Sequence, residues 1–191
     1  MGELTCFMLV EFADLGHKLF RTTQETYPIA FIPGDVLDPK LLDVVPPLAS
    51  AHARTGPPGG PTLDLRSLTS LKPLRGRVFA IYASSFFHIF DEEKQLQVAR
   101  AFAGLLSPEP GSMIFGLHLG SPHKGLTLSP GHDVLQMFCH SPESWIELWD
   151  GLVFEKGVVK VQTKLLQMEW KEPDGSPSLV FATLVWSVTR L

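Results

Sequence analysis

The sequence predicts an α/β fold built around a mostly parallel sheet. Three observations carry this. The run Val78 to Gly116 holds an apolar strand, a small-residue turn, an amphipathic helix, a Pro-Gly break and a second apolar strand. Parallel strands need such a helical crossover, so the run reads as one β-α-β unit. A shorter strand, helix and strand precede it, from Leu4 to Ile32. Two long strand-like stretches, Gly157 to Glu169 and Ser178 to Thr189, flank Pro173-Asp174-Gly175 and read as an antiparallel pair closing the carboxyl-terminal edge of the sheet. At 191 residues, one domain over 1–191 is expected.

The elements follow in order. Leu4 to Val10 is apolar between Glu3 and Glu11 and reads as a short buried strand. It lacks a basic leader and a small-residue cleavage site, which argues against a signal peptide. Phe12, Leu15 and Leu19 recur at spacings of three and four, predicting a helix over Glu11 to Arg21. Tyr27 to Ile32 is β-prone, and Pro33-Gly34-Asp35 turns the chain. Arg77 to Tyr82 is the next strand. Asp91 can cap the helix after it, and Glu92 and Glu93 suit a helix start. Leu96, Ala99, Phe102, Ala103 and Leu106 make its apolar stripe, which Pro108, Pro110 and Gly111 end. Ser112 to Leu117 is apolar on both sides, as expected of a buried parallel strand. Ser121 to His140 reads as loop. Ser141-Pro142 opens a last helix, with Trp145, Leu148, Trp149 and Leu152 on one face.

The tract from Pro46 to Pro73 differs. It holds six prolines and Gly56, Gly59 and Gly60. Proline removes backbone donors and glycine adds chain entropy, so the tract is expected to be a disordered surface insertion. A substrate lid is the other reading.

Composition excludes several classes. The formal net charge is -4, with no basic block, which disfavours nucleic acid as a partner. No apolar run approaches the roughly 20 residues that cross a bilayer. Cys6 and Cys139 are far apart and form no metal or redox motif, which suits a reducing, cytoplasmic compartment.

Candidate chemistry lies at strand ends, where open parallel sheets bind ligands. Asp35 follows one strand. Its carboxylate can accept from an amino group such as that of adenine, and Val36 can pack on a base face; the pair equally suits an Asx-type turn. Ala83, Ser84 and Ser85 end the next strand, giving close backbone approach and two hydroxyls; they equally suit a tight strand-to-helix turn. His88, among Phe86, Phe87, Ile89 and Phe90, reads as a satisfied core histidine or as a general base. His118, His123, His132 and His140 lack zinc-type spacing, so no metal is expected. The chain has no GxGxxG, no GxxxxGK[ST] and no GxSxG elbow, which weighs against ordinary dinucleotide, triphosphate and esterase chemistry.

Several segments together resemble the class I S-adenosylmethionine-dependent methyltransferases, and most closely a fungal secondary-metabolite, meroterpenoid-type group. They are FADLGHKLF (Phe12 to Phe20), FIPGDVLDP (Phe31 to Pro39), IYASSFFHIFDEEKQLQVARAFAGLLSPEPGSMIFG (Ile81 to Gly116), SPESWIELW (Ser141 to Trp149) and the ending FATLVWSVTRL. The resemblance implies a Rossmann-like sandwich and methyl transfer from S-adenosyl-L-methionine to a hydroxyl or carboxyl of a small organic acceptor. It implies that Asp35 and Val36 meet the adenine. Ala83, Ser84 and Ser85 would face the methionine part, and His88 or His118 would serve as base for a hydroxyl acceptor. The family's first strand and Gly-rich loop have no counterpart here, so the chain resembles an amino-terminally shortened member. Where the family has a ribose-binding acid at a strand end, this sequence has Phe7, with Met8 after it. A catalytically impaired remnant acting as a binding protein is the alternative. A protein partner or oligomer is expected to cover the exposed sheet edge.

Overall fold

The computed structural model describes residues 5–8, 10–23, 25–27, 29–49, 63–131, 134–171 and 178–191, with side chains from Asp14 onward. Strand β1 (Thr5–Met8) runs into helix α1 (Val10–Phe20) and strand β2 (Ala30–Pro33). Strand β3 (Ala80–Ser84), helix α2 (Glu92–Leu105) and strand β4 (Met113–Leu119) form the expected β-α-β unit. A hairpin of β5 (Gly125–Leu128) and β6 (Gln136–Cys139) follows, then helix α3 (Pro142–Trp149) and the long strands β7 (Val159–Trp170) and β8 (Leu179–Arg190).

The strands form three sheets. β1 and β2 pair in parallel, β5 and β6 pair antiparallel, and the main sheet has the order β3-β4-β8-β7. β3 and β4 are parallel, while β8 is antiparallel to both of its neighbours, β4 and β7. The architecture is the predicted α/β one, and the antiparallel pair of β7 and β8 closes one side of the main sheet as expected, with β8 as its inner strand. β8 inserts between β4 and β7, so β7, which runs in the same sense as β4, takes the edge.

Helix α2 begins as its sequence dictates. Asp91 Oδ1 accepts from the Lys94 amide at 2.9 Å, closing the cap. Its buried residues are Gln95, Val98, Ala99, Ala101, Phe102, Ala103, Gly104 and Leu105. Of the expected stripe, Ala99, Phe102, Ala103 and Leu106 are buried and Leu96 is partly buried, and the buried face also takes in a glutamine. Helix α3 starts with a capping box between Ser141 and Ser144 and buries Trp145, Leu148 and Trp149. Leu152, expected on that face, lies past the helix end and is exposed.

The main sheet has two unlike faces. Cross-strand partners share a face, so the register assigns residues to each. Ile81, Ala83, Ile114, His118, Leu184, Trp186 and Val188 are buried on one side. Tyr82, Leu117 and Val185 on the other are 63%, 37% and 37% exposed. β4 was expected to be apolar and buried on both sides. Its odd face is instead partly open, because none of the described helices covers it fully. Gly116 permits the close approach of β3 to β4, since a Cβ there would lie 1.9 Å from the Ala83 carbonyl oxygen.

Two loop expectations change. Residues 121–140 include the β5–β6 hairpin, not only loop. The Pro/Gly tract is also narrower as an insertion than expected. Leu71 and Leu74 are buried within it or beside it, and the Leu71 amide donates to the Leu41 carbonyl at 2.9 Å. Asp64 caps a short 3₁₀ turn at Leu65–Ser67. Leucines supply the apolar contacts that the proline count obscured. The Arg190 guanidinium donates to the Leu48 carbonyl at 2.7 Å and lies over the Phe154 ring, tying 46–49 to the end of β8. Residues 50–62 lie outside the described residues.

Candidate functional site

The carboxyl end of β3 gathers the candidate residues. Ala83 is buried in the strand, Ser84 is half-buried at its end, and Ser85 is exposed at φ 51°. A non-glycine residue in the left-handed region is uncommon and strained. The Ser85 amide donates to the Leu117 carbonyl at 2.7 Å, which holds the turn against β4. The chain then enters a 3₁₀ turn, Phe87–Ile89, that drives Phe87 fully into the core and leaves His88 half-buried above it.

His118 joins His88 from β4. The two rings stack with centroids 6.4 Å apart. His118 is 2% exposed, and its Nδ1 accepts from the Trp186 indole N–H at 2.9 Å. Burial, helped by the nearby rings of His88 and His140, pushes its pKa down to about 3. It is an enclosed ring with one nitrogen already occupied by the indole N–H. Burial also lowers the pKa of His88. Its Nδ1 is enclosed without a protein partner.

Around these rings lies an aromatic box. Phe87 meets Trp145, Trp149 and Trp186 edge-on, and Trp145 meets both His118 and His140. His140 shares a 2.9 Å hydrogen bond with Ser144, and burial brings its pKa to about 4. Gln95 donates to the Phe90 and Phe138 carbonyls at 2.9 Å each, joining α2 to the hairpin. Among the described residues, no group of His, Cys, Asp and Glu is arranged to hold a metal ion.

The carboxyl end of β2 is built differently. Asp35 Oδ1 accepts from the Leu37 amide at 2.9 Å, so the Asx-type turn is real. The carboxylate is exposed and has further lone pairs to offer. Val36 is 6% exposed and belongs to the main core with Ile32 and Leu41, so it supports the turn from within. The structure thus brings Ala83, Ser84, Ser85, His88 and His118 together, and puts Val36 in the same core as Ala83.

No family model matches the chain. Curated proteins do. It is 28% identical to O-methyltransferase phiE of Fungal sp. (strain ATCC 74256) over 161 residues, covering 84% of this chain and 44% of that protein. It is 34% identical to methyltransferase ausD of Penicillium brasilianum over 101 residues, covering 53% of this chain and 34% of the relative. The Asnovolin E/Chermesin D methyltransferase nvfJ of Aspergillus novofumigatus is 31% identical over 104 residues, covering 54% and 35%. The chain is a relative of fungal secondary-metabolite methyltransferases. It spans less than half the length of these relatives.

Two solved structures share the fold of this chain. A protein of echinomycin biosynthesis, from work on converting a disulfide bond into a thioacetal group, superposes with a TM-score of 0.51 at 14% identity. The match covers 98% of this chain and 66% of that one. A Bacillus halodurans C-125 protein classed as a methyltransferase gives 0.51 at 8% identity, covering 98% and 83%.

The residues that sequence reasoning missed are Trp145 and Trp186 as walls of the histidine cluster, and Gln95 as the tie between α2 and the hairpin. Trp145 was visible as part of an apolar helix face. Trp186 lies 68 positions from His118, and no local pattern pairs them.

Proposed function

We propose that this chain carries the acceptor side of a site for methyl transfer from S-adenosyl-L-methionine to a small organic acceptor. The single observation that supports it most is the strained Ser84-Ser85 turn with His88 above it, at the end of a parallel strand, in a chain related to O-methyltransferases.

The chain's residues fit part of the cofactor. The exposed Asp35 carboxylate can accept from the adenine amino group, and Ala83, Ser84 and Ser85 can flank the methyl-bearing end. At the end of β1, Phe7 cannot accept from ribose hydroxyls and Met8 offers only a weak thioether acceptor, and the described residues hold no glycine loop of the phosphate- or ribose-cradling kind. When bound, the sulfonium supplies an already activated methyl group, so the protein's task is positioning and exclusion of water. Ser85 fixes the turn, Phe86 and Phe87 form a dry wall, and His88 is the side chain that meets the acceptor oxygen. The acceptor class, hydroxyl or carboxyl, follows from that contact. The buried free thiol of Cys139 suits the cytoplasm as the compartment. The partly open sheet face and the free β3 edge support contact with further polypeptide.

Calorimetric titration of the purified chain with S-adenosyl-L-methionine tests this. Saturable heat is expected, weakened at least about tenfold in Asp35→Ala, since a charge-assisted hydrogen bond contributes about 1.5–3 kcal/mol. Absence of heat at millimolar ligand, from a sample with a cooperative melt, would overturn it.

A further inference from the structure

We infer that Gln95 is a positioning residue: its side-chain amide clamps the turn that carries His88 to strand β6, which makes the β5–β6 hairpin a second wall of the acceptor site. The amide Nε2 has two protons, and it meets two carbonyl oxygens, those of Phe90 and Phe138, at 2.9 Å each. A carbonyl only accepts, so only the N–H side of the amide can face both, and a flipped amide would set oxygen against oxygen. Gln95 is 1% exposed, and its Oε1 is left enclosed without a protein partner. An apolar residue of the same volume would fill the space without that penalty. What the glutamine adds is the pair of donors.

The local backbone turns both carbonyls toward the amide. In the hairpin, the Ser129 amide donates to the Leu135 carbonyl. The antiparallel ladder alternates from there, so Leu126 and Phe138 face each other without mutual hydrogen bonds, and the Phe138 carbonyl points out of the hairpin. Phe90 ends the 3₁₀ turn Phe87–Ile89, where its own amide donates to the Phe87 carbonyl at 3.0 Å. The hairpin is a separate two-stranded sheet, and such a pair is marginal by itself. Phe87 anchors the His88 turn in the core, and Gln95 fixes its other end to β6. That the two walls face an acceptor rests on the methyl-transfer reading; the clamp itself does not.

NMR titration of the histidine-labelled full chain, without cofactor or acceptor, reads the placement of His88. Burial holds the His88 pKa below its usual 6.5, and the stacked His118 ring, with its pKa near about 3, adds no charge in that range. Gln95→Met keeps the length of the side chain and removes both donors. The His88 titration is then expected to move up toward 6.5 as the turn lifts from the core. A merely structural Gln95 would lower the unfolding midpoint and leave the His88 titration in place, and that result overturns the inference. Should the variant fail to fold, native-state hydrogen exchange in the wild-type chain decides. The Phe90 and Met137 amides are expected to open together, with one dependence on denaturant; separate openings overturn the clamp. Failure to bind S-adenosyl-L-methionine would sink the methyl-transfer reading and leave both measurements as they are.

Discussion

On β4, Ile114, Gly116 and His118 face one side of the main sheet, and Met113, Phe115 and Leu117 face the other. The first set is sealed under α2, α3 and a box of aromatic rings; the second is partly open, with Tyr82 beside Phe115 at 5.2 Å between ring centroids. The same strand therefore carries both enclosed and partly open positions. The difference teaches where sequence changes will register. On the closed face, each ring has several fixed neighbours and a lost atom leaves a hole. On the open face, water fills the gap.

The largest test of this contrast is Phe87→Ala. Phe87 is fully buried and touches Phe102, His118, Trp145 and Trp186, so its loss should cost about 3–5 kcal/mol in urea unfolding. A cost under about 1 kcal/mol would mean the aromatic box is not the core. Next is acid. His118 and His140 stay neutral in the folded chain until the pH nears about 3 and about 4, against an ordinary value of 6.5. In that interval the unfolded chain binds more protons, so stability falls as pH falls. The slope is about 1.4 kcal/mol per pH unit for each histidine. His140→Leu should make the profile shallower below pH 6.5, where wild-type His140 begins to favour the unfolded state; an unchanged slope would count against burial as the cause.

Arg190→Met comes third. It leaves the Leu48 carbonyl without its donor and should cost about 1–3 kcal/mol. Native-state proteolysis should then cut more readily near 46–49, and equal rates would show that the tie does not hold that segment. The smallest effect belongs to the open face. Tyr82→Ser should change stability by no more than about 0.5 kcal/mol in the isolated chain. A shift as large as that of Phe87→Ala would show that this face is covered in solution.

The contrast also explains what was legible beforehand. The β-α-β unit could be read because each part carries a local signal, from the Asp91 cap to the Pro108 and Pro110 stop. The strand-end residues Ser84 and Ser85 were found for the same reason. Three things had no local signal. The β5–β6 hairpin consists of four-residue strands amid serine, glycine and proline, so turn residues outweighed Leu126, Leu128 and Phe138. Gln95 is buried because its amide meets two carbonyls across the fold, which no local pattern announces. Hairpin reasoning put the antiparallel pair at the edge, where it lies, but the choice of β8 rather than β7 as the neighbour of β4 is a property of long-range pairing. Asp35 fell between: the carboxylate was seen, and the open choice between turn and ligand was resolved toward a turn that leaves lone pairs over.

The internal place of β8 bears on how the protein is made. Of the four strands in the main sheet, β8 leaves the ribosome last, yet it lies between two strands made earlier. Until it emerges, one edge of β4 is bare and β7 has no neighbour in that sheet. Between the synthesis of β7 and that of β8 the nascent chain thus carries two unsatisfied edges, with which a wrong strand can pair. Arg190, near the end of β8, then reaches back across more than a hundred residues to Leu48. Closure of this half of the molecule therefore waits until β8 has been made.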